Sequence, residues 1–499
     1  MELNLFSLSL CCLLLFFFFS LMKRVSGHGK PRLRLPPGPR TLPIIGNMHI
    51  LTGALPHRLF RDLARNYGPV MHFQFGHISV VVISSPELAK EIMKTNEVIF
   101  AQRPQVLGAS IISYGSKDLV NAPYGDYWKQ LRKVCLLELL SAKRVQSFRA
   151  VREEEVSNYL QTVSSMAGSP INLSEMVFHL TSDITARTVF GRPCKEREEF
   201  KKALNEFINL RGGFDLADMF PSSKLARLIS RSETRFLRVH RRLDKIITEL
   251  IDTHREKGKK TEEDDEEDLV DVLLRLQQHG DLEFDLPLDS IKAVILDMFA
   301  AGTDTSATTM EWTMSQLLKN PRVMKKAQAE IRNVVKRKNK VTETDITEMK
   351  YLKQVIKETL RLSPPIPLLP PRESLETYEV NGYQIPKKSR VQINCWAIGR
   401  DPKYWDDPEE FKPERFENSS IDFRGQDFEL LPFGTGRRGC PGIIFGVVII
   451  ELVIASLLYH FDWKLPNGLR SEDLDMSEGA GVAMVRKNSL YTIPIPYFP

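Results

Sequence analysis

The amino-acid sequence predicts a mainly α-helical protein with a smaller β region, built as one large domain behind an N-terminal membrane anchor. Three observations support this prediction. An apolar run opens the chain, the apolar pattern of residues 287–319 fits one helix of roughly 50 Å, and the β-prone stretches are short. After residue 44 the chain shows no second linker and no internal repeat. A chain of 499 residues, 42% of them hydrophobic, is long enough to bury a large core.

The charge balance and the cysteines narrow the possible partners and compartments. The net charge is +6, with basic and acidic residues mixed along the chain. This charge is too mild for a nucleic-acid-binding protein, so we expect no nucleic-acid partner. The cysteines lack the spacing of a disulfide framework, which favours a reducing compartment. They are Cys11, Cys12, Cys135, Cys194, Cys395 and Cys440.

The N-terminal apolar run has the length of a membrane span. Residues 5–22 are apolar apart from three serines, and as a helix they would extend about 27 Å, close to the thickness of a bilayer core. Lys23 and Arg24 follow the run, whereas Glu2 precedes it. Positive charge on this side places the rest of the chain in the cytosol. A cleaved signal peptide is the alternative, but it carries its positive charge before the apolar run.

The chain is therefore predicted to have three parts. Residues 1–22 form a retained transmembrane signal-anchor, residues 23–43 a basic and proline-rich hinge, and residues 44–499 one large domain. Pro36 and Pro37 fix the backbone of the hinge and prevent the anchor helix from continuing into it.

The elements of the large domain follow from periodicity and from turn residues. Residues 77–84 are rich in β-branched side chains and predict a strand, and an Asn-Gly pair at positions 381–382 predicts a hairpin. Residues 103–122 lack periodicity and predict a long loop, a kind of segment that is often functional. Further helices are predicted at residues 86–94, 127–134, 287–319, 350–362 and 443–458, β structure over 378–394, and a strand within 490–499.

Two of these stretches allow more than one interpretation. Residues 443–458 have the apolarity of a second membrane span, but Glu451 lies in the middle and predicts a buried core helix instead. Residues 262–268 are an unbroken acidic run. Because like charges in a block repel one another and stay solvated, we predict an exposed loop without chemistry there.

One short segment, residues 433–442, has the composition of a metal-binding loop. It holds a single cysteine, Cys440, among four glycines and two arginines, and an apolar helix is predicted directly after it. The N-terminus of that helix would favour a thiolate. Structural zinc usually needs cysteines paired as C-x-x-C, and no C-x-x-C occurs in the chain. Haem iron needs only one proximal protein ligand. A surface turn with a buried cysteine is the alternative.

The pattern Phe433-x-x-Gly436-x-Arg438-x-Cys440-x-Gly442 resembles the haem-binding signature of the cytochrome P450 family. Four weaker motifs stand in the order and spacing of that family. They are Trp128-x-x-x-Arg132, Ala301-Gly302-x-Asp304-Thr305, Glu358-x-x-Arg361 and Pro413-Glu414-Arg415-Phe416. The resemblance covers nearly the whole chain. It is closest to the plant microsomal branch and, within it, to oxidases of sesquiterpenes and of casbene-type diterpenes.

The resemblance implies a role for each matched residue. Cys440 is implied as the axial ligand of the iron of haem b, iron protoporphyrin IX. The resemblance implies five further residues that hold the cofactor. They are Phe433, Arg438, Trp128, Arg132 and Arg372. Asp304 and Thr305 are implied as the catalytic pair that handles dioxygen and protons. Glu358, Arg361 and Arg415 are implied as a structural network.

The resemblance also implies the activity and the partners. It implies a monooxygenase of the endoplasmic reticulum membrane, single-pass with a cytosolic catalytic domain, that uses O2 and electrons from NADPH–cytochrome P450 reductase. The expected substrate is a hydrophobic small molecule, first of all a terpenoid, with a phenolic or a fatty acid as the alternative. A haem isomerase that rearranges peroxides without oxygen, and a haem sensor without turnover, are two rival functions. The presence of both Asp304 and Thr305 argues against these rivals.

An apolar substrate pocket is expected around residues 103–122, 205–221, 296–305, 366–369 and 479–484. Its expected lining residues are Leu107, Ile111, Ile112, Phe207, Phe214, Phe299, Ala301, Leu368 and Val482. Pro370-Pro371 departs from the family pattern and is expected to stiffen the turn before Arg372. Two glycosylation sequons, at Asn172 and Asn418, would face the cytosol and stay unmodified.

Overall fold

The computed structural model describes residues 5–25, 33–191, 199–200, 202–203, 206–207, 210, 215–257, 267–279, 284–336 and 338–498, with the side chains of residues 5–8 and 20–25 left out. Phe214 and most of the acidic run, residues 262–266, lie outside the described residues.

Helices dominate the described part of the chain, as predicted. The α-helices span Leu5–Val25, Pro56–Tyr67, Pro86–Lys90, Leu107–Ile112, Asp126–Val134, Ala142–Ser147, Arg149–Ser165, Leu173–Phe190, Leu216–Met219, Lys224–Ser230, Ser232–Lys257, Leu269–His279, Leu288–Lys319, Pro321–Val335, Glu343–Ile346, Lys350–Leu362, Cys395–Ile398 and Ile443–His460. The helix predicted over residues 86–94 changes to a π-helical turn at Glu91–Thr95.

The β structure is small and forms three separate sheets within the described residues. The strands are β1 Val70–Phe75, β2 Ile78–Ile83, β3 Ile171–Asn172, β4 Arg372–Glu373, β5 Tyr378–Val380, β6 Tyr383–Ile385, β7 Arg390–Ile393, β8 Phe461–Lys464 and β9 Tyr491–Pro496. One sheet has the order β1-β2-β7-β4, with β2 and β7 parallel, and a second has the order β3-β9-β8. Strands β5 and β6 form the predicted hairpin, with both turn residues, Asn381 and Gly382, at positive φ.

The helix Leu288–Lys319, here called the central helix, packs against Leu173–Phe190 and Ile443–His460. Its interior contains threonines, which favour helices weakly. Two of their hydroxyls donate to carbonyls one turn back, Thr305 Oγ1 to Ala301 O at 2.6 Å and Thr309 Oγ1 to Thr305 O at 2.9 Å. These bonds satisfy the hydroxyls within the helix itself.

The helix Ile443–His460, here called the Cys-loop helix, is a core helix as predicted. It is long and apolar enough to cross a membrane, yet 61% of it is buried inside the protein. It packs against the central helix and Pro321–Val335. The N-terminal helix Leu5–Val25 has the opposite character, since Leu13, Phe17 and Phe19 are 65%, 70% and 70% exposed. Its role as an anchor stays a prediction.

The network predicted around Glu358 is present. Arg361 Nε and Nη2 each donate to Glu358 at 2.8 Å, and Arg415 Nε donates to Glu358 Oε1 at 2.9 Å. The side chains of Glu358 and Arg361 have no exposed area. Arg361 Nη1 also donates to the carbonyls of Gly399 and Pro408. The network joins the helix Lys350–Leu362 to the segment before the Cys loop and is a fold element.

The prediction of an exposed acidic loop is wrong for its last two residues. Asp268 is buried, and its Oδ2 lies 2.8 Å from His254 Nε2. Its Oδ1 accepts the backbone N–H of Asp271, which caps the N-terminus of the helix Leu269–His279. Glu267 pairs with Arg275 at 2.7 Å. Asp268 is buried because it bonds to His254 and caps a helix, and Glu267 pairs with Arg275. A run of acidic residues in the sequence does not indicate these partners.

Candidate active site

The loop that carries Cys440 is tightly folded. The Cys440 backbone N–H donates to Phe433 O at 2.9 Å, which closes the loop. Gly436 has a φ of 69°, and a Cβ there would lie 2.2 Å from Met93 O. Only glycine fits this position, both because of its backbone conformation and because of the close approach. The sequence pattern of glycines around one cysteine therefore has a direct physical reason.

Cys440 lies just before the Cys-loop helix, as predicted. Its environment does not favour the thiolate by itself: burial raises the pKa of the thiol, and the Gly442 N–H and Arg132 oppose this rise. Without a cation at the sulfur, desolvation outweighs these two effects. A metal cation at the sulfur would favour the thiolate.

Two accessible residues, Cys440 and Ala301, point to an internal cavity between the Cys loop and the central helix. The Cys440 side chain is exposed although protein surrounds it, and Ala301 is exposed in the middle of a largely buried helix. The two helices meet beside these residues, since a Cβ on Gly302 would lie 3.4 Å from Phe445. We infer that Cys440 and Ala301 border one cavity. A separate cleft of about 360 Å³, lined among others by Glu153 and His460, holds none of the predicted site residues.

Four arginines gather beside the Cys loop. Arg103, Arg372 and Arg438 are buried, with 7%, 3% and 9% of their surface exposed, and Arg132 is half-buried. We call these four residues the arginine cluster. Three of them were predicted as cofactor-binding residues. Arg103 was missed, although an arginine directly before a proline, at the start of a loop suspected of function, was a usable signal.

The hydrogen bonds of the arginine cluster go to backbone carbonyls. Arg132 donates to Gly439 O at 2.7 Å and Arg372 to Thr435 O at 3.0 Å, so both hold the Cys loop. The remaining bonds run from Arg438 to Ala101 O, Leu119 O and Ala122 O, and from Arg103 to Val120 O, Pro370 O and Pro371 O. The two consecutive prolines before Arg372 thus present their carbonyls to one guanidinium.

The arginine cluster has the electrostatics of an anion site. Burial and the neighbouring arginines lower the pKa of Arg438 to about 9, and burial lowers that of Arg372 to about 10. Burial and the same neighbours hold the pKa of Arg103 well below its ordinary value. Among the described residues, Arg372 Nη1 is buried without a hydrogen-bond partner. Buried cations need anionic partners, and an orphaned guanidinium nitrogen fits a carboxylate.

Trp128 meets the arginine cluster through its ring. The Arg438 guanidinium carbon lies 4.0 Å from the Trp128 ring centroid, a cation–π contact. The Trp128 Nε1–H, which the resemblance assigns to the cofactor, donates to Leu119 O at 2.9 Å. Phe433 is half-buried and packs edge-on against Phe423 at 5.4 Å.

Asp304 and Thr305 lie one turn after Ala301 on the central helix. Both are half-buried, next to exposed Ala301. The Thr305 hydroxyl donates to Ala301 O. Glu311, two turns further on, is buried and bonded by Ser174, and burial raises its pKa, with a smaller contribution from Asp304. The pair thus lies within a partly buried polar stretch of an otherwise apolar helix.

The expected pocket lining is only partly right. Phe299 is 1% exposed and packs between Phe190 and Phe200, so it belongs to the core. Ile112 and Phe207 are also buried in that core. Leu107, Ile111 and Leu368 are half-buried and Val482 is 47% exposed, so they are available to a pocket.

A family model described as Cytochrome P450 matches residues 36–493 of the chain. The chain belongs to the cytochrome P450 family. Premnaspirodiene oxygenase of Hyoscyamus muticus is 49% identical over 500 residues, covering 100% of this chain and 99% of the relative. Desmethyl-deoxy-podophyllotoxin synthase of Sinopodophyllum hexandrum is 50% identical, covering 99% and 97%. Among solved structures, a zebrafish cytochrome P450 with progesterone has a TM-score of 0.76 at 25% identity, covering 89% and 100%.

Membership makes this cytochrome P450 a monooxygenase with a haem–thiolate cofactor, a small-molecule substrate, O2 and a redox partner. The residues of the site fit such a group. One accessible thiol faces the cavity, and the arginine cluster beside it has the charge and the free donor that the cofactor's carboxylates need.

Proposed function

We propose that this cytochrome P450 oxidises a terpenoid, a macrocyclic diterpene or a sesquiterpene, with O2 and with electrons from NADPH–cytochrome P450 reductase. The cofactor is haem b, iron protoporphyrin IX. The observation that supports this proposal most strongly is one accessible thiol beside four arginines, three of them buried, that lack a full complement of anions. Few other groups combine an iron that takes one thiolate with two carboxylates.

Each predicted residue has a physical task in this proposal. Cys440 supplies the sulfur ligand from a loop that Arg132 and Arg372 tie down through its carbonyls. The arginine cluster, with Arg372 Nη1 foremost, neutralises the two carboxylates. Trp128 packs on the guanidinium of Arg438, and Phe433 packs against Phe423. When bound, the haem supplies the activation of O2 and the insertion of one oxygen atom into a C–H bond.

Thr305 and Asp304 are proposed to handle protons. A hydroxyl donates one hydrogen bond and accepts others, so Thr305 Oγ can turn its proton from Ala301 O toward the cavity and receive another. Asp304, on the adjacent position of the same partly exposed stretch, is the acid that restores that proton. The protein's own contribution is thus positioning and proton supply.

The terpenoid assignment rests on the apolar residues available to the pocket and on the relative named premnaspirodiene oxygenase. A relative of similar identity is named for a different product, so phenolics and fatty acids belong in any test. The exposed helix Leu5–Val25 supports a single-pass anchor in the endoplasmic reticulum membrane, with the catalytic domain in the cytosol.

The test is a turnover assay in microsomes that contain the full chain and a plant reductase. NADPH is supplied with panels of sesquiterpenes, diterpenes, phenolics and fatty acids, and products are identified by mass. A terpenoid that gains oxygen with the wild type and not with Cys440→Ser supports the proposal. Oxidation of phenolics or fatty acids alone overturns the substrate class, and absence of product with every panel also overturns the terpenoid proposal.

A further inference from the structure

Asp297 of the central helix holds a turn of the long loop that is expected to line the pocket. Its Oδ2 accepts the backbone N–H of Leu119 at 2.8 Å and that of Val120 at 3.1 Å. The turn, residues 119–122, has no regular secondary structure of its own. The two residues that bind Asp297 are 178 and 177 positions away in the chain, so no sequence motif links them to it.

The carbonyls of the same turn bind the cofactor side of the site. Leu119 O accepts from Trp128 Nε1 at 2.9 Å and from Arg438 Nη1 at 3.4 Å. Ala122 O accepts from Arg438 Nη2 at 2.6 Å, and Val120 O accepts from Arg103 Nε at 3.0 Å. Residues 119–122 therefore lie between Asp297 on one side and the arginine cluster with Trp128 on the other.

Peptide geometry couples the two sides. The Val120 N–H and the Leu119 carbonyl belong to one planar trans peptide unit, so they point in opposite directions. When Asp297 accepts the Val120 N–H, the Leu119 oxygen is aimed away from the central helix, toward Trp128 and Arg438. A carboxylate also binds N–H groups more strongly than a neutral acceptor does.

We propose that Asp297 is a positioning residue. Its one carboxylate holds both the loop on the substrate side and the arginine cluster in place. By holding residues 119–122 it fixes a wall of the pocket, and through the Leu119 carbonyl it fixes the guanidinium of Arg438. The cofactor half of this inference rests on the proposed function, since it takes the arginine cluster to hold the haem. The loop half does not depend on the haem.

The chain offers a matched control. Lys117, in the same loop, pairs with Asp289 of the same helix at 2.7 Å, but both side chains are 40% or more exposed. Exposed pairs of this kind contribute little. Asp289→Ala therefore removes a carboxylate of the same helix that pairs with the same loop. It does not touch the peptide unit that Asp297 orients.

The experiment is hydrogen exchange of the amides of residues 119 and 120 in the full-length holoprotein, for Asp297→Ala, Asp297→Asn and Asp289→Ala. Loss of charge-assisted bonds predicts about 10- to 100-fold faster exchange in Asp297→Ala. Asp297→Asn retains an acceptor oxygen and should restore most of the protection, and Asp289→Ala should match the wild type. Unchanged exchange in Asp297→Ala, or an Asn variant no better than Ala, overturns the proposal.

A second readout tests the cofactor half. Transfer of haem to apomyoglobin should be faster from Asp297→Ala than from the wild type, and unchanged for Asp289→Ala. Equal transfer rates for all three proteins overturn this half. Because the amide measurement does not involve the haem, a wild-type protein without a thiolate-type Soret band overturns the proposed function and leaves the positioning of residues 119–122 standing on the exchange data.

Discussion

Arg361 and Arg372 are two enclosed arginines of this chain that differ in what balances their charge. Arg361 is bound on two nitrogens by Glu358. Within the described residues, Arg372 donates to a neutral carbonyl, Thr435 O, and keeps a buried nitrogen without a partner. The first arrangement is complete within the fold, whereas the second needs an anion from outside it.

This difference predicts opposite behaviour of two matched variants. Arg372→Met should leave the protein folded but release haem about tenfold faster or more, because a charged hydrogen bond to a carboxylate is lost. Arg361→Met takes the two-nitrogen partner away from the buried Glu358 carboxylate, which keeps only Arg415 as a charged partner, and should cost about 3 kcal/mol of stability. Haem transfer to apomyoglobin and thermal unfolding separate the two. Arg372→Met with unchanged haem release would speak against the anion site.

Thr305 and Thr309 form a second matched pair, one turn apart on the central helix. Both hydroxyls donate to carbonyls four residues back, but Thr309 is buried and Thr305 is partly exposed. Thr305→Val should keep NADPH use while product formed per NADPH falls about tenfold or more, because the proton donor is gone. Thr309→Val should keep the coupling. The measurement is product and NADPH in one reaction, and equal coupling in both variants would contradict the proton role.

At this scale the sequence revealed the residues that stand in compact motifs, such as Cys440, Arg132 and Arg438. It did not reveal Arg103 and Asp297, whose partners are backbone atoms far away in the chain. A contact between a side chain and a distant peptide group produces no sequence pattern. Every residue can supply a carbonyl, and every residue except proline can supply an N–H.

At the scale of elements, the Cys-loop helix shows how composition alone can mislead. Its length and apolarity meet the criterion for a membrane span, but packing against other helices buries it in the domain. Glu451 in its middle is largely enclosed, and burial raises the pKa of this carboxyl to about 7, against smaller opposing effects of Lys353 and Arg424. Its place in the sequence correctly predicted a core helix.

Glu451 predicts a pH dependence of stability. Because the folded state prefers the protonated form, its contribution is complete below about pH 4.5 and is lost as the pH rises through about 7. Glu451→Gln should therefore gain stability over the wild type with rising pH, by up to about 3 kcal/mol at pH 8. Thermal unfolding from pH 5 to 8 measures this, with Glu348→Gln as an exposed control. A pH-independent difference would refute the assignment.

Most element boundaries were predictable to within a few residues, but the prediction of a continuous loop over residues 103–122 is wrong, because the structure has the short helix Leu107–Ile112 within it. The helix predicted over residues 127–134 starts one residue earlier, at Asp126, an acidic residue suited to a helix N-terminus. The acidic run ends in a helix cap, Asp268, because its carboxylate accepts the Asp271 N–H. Capping depends on where the next helix begins, and the acidic run in the sequence did not indicate that position.

At the scale of the whole molecule, the order of five motifs predicted the fold, and the family match confirms it over residues 36–493. The pocket was less predictable. Phe299 was expected to line it, but the helical rotation turns this ring into the core beside Phe190. Which face of a long helix meets a cavity depends on packing on all its sides, and a periodic apolar pattern does not report that.

The proposed membrane topology makes a prediction about modification. The sequons at Asn172 and Asn418 lie in the domain that is proposed to face the cytosol, and glycosylation takes place on the other side of the membrane. Full-length protein from microsomes should carry no glycan at either site by peptide mass. Protease added to intact microsomes should digest the domain, as a control for its exposure. A glycan on either asparagine would reverse the orientation.

The central claim is that Cys440 is the single sulfur ligand of a haem held by the arginine cluster. The most direct measurement is the absorption spectrum of the reduced protein with carbon monoxide, for the wild type and Cys440→Ser. The wild type should show a thiolate-type Soret band, and the variant should lose that band while it remains folded, because one sulfur carries the ligation. A wild type without the band, or a variant that keeps it, would contradict the account.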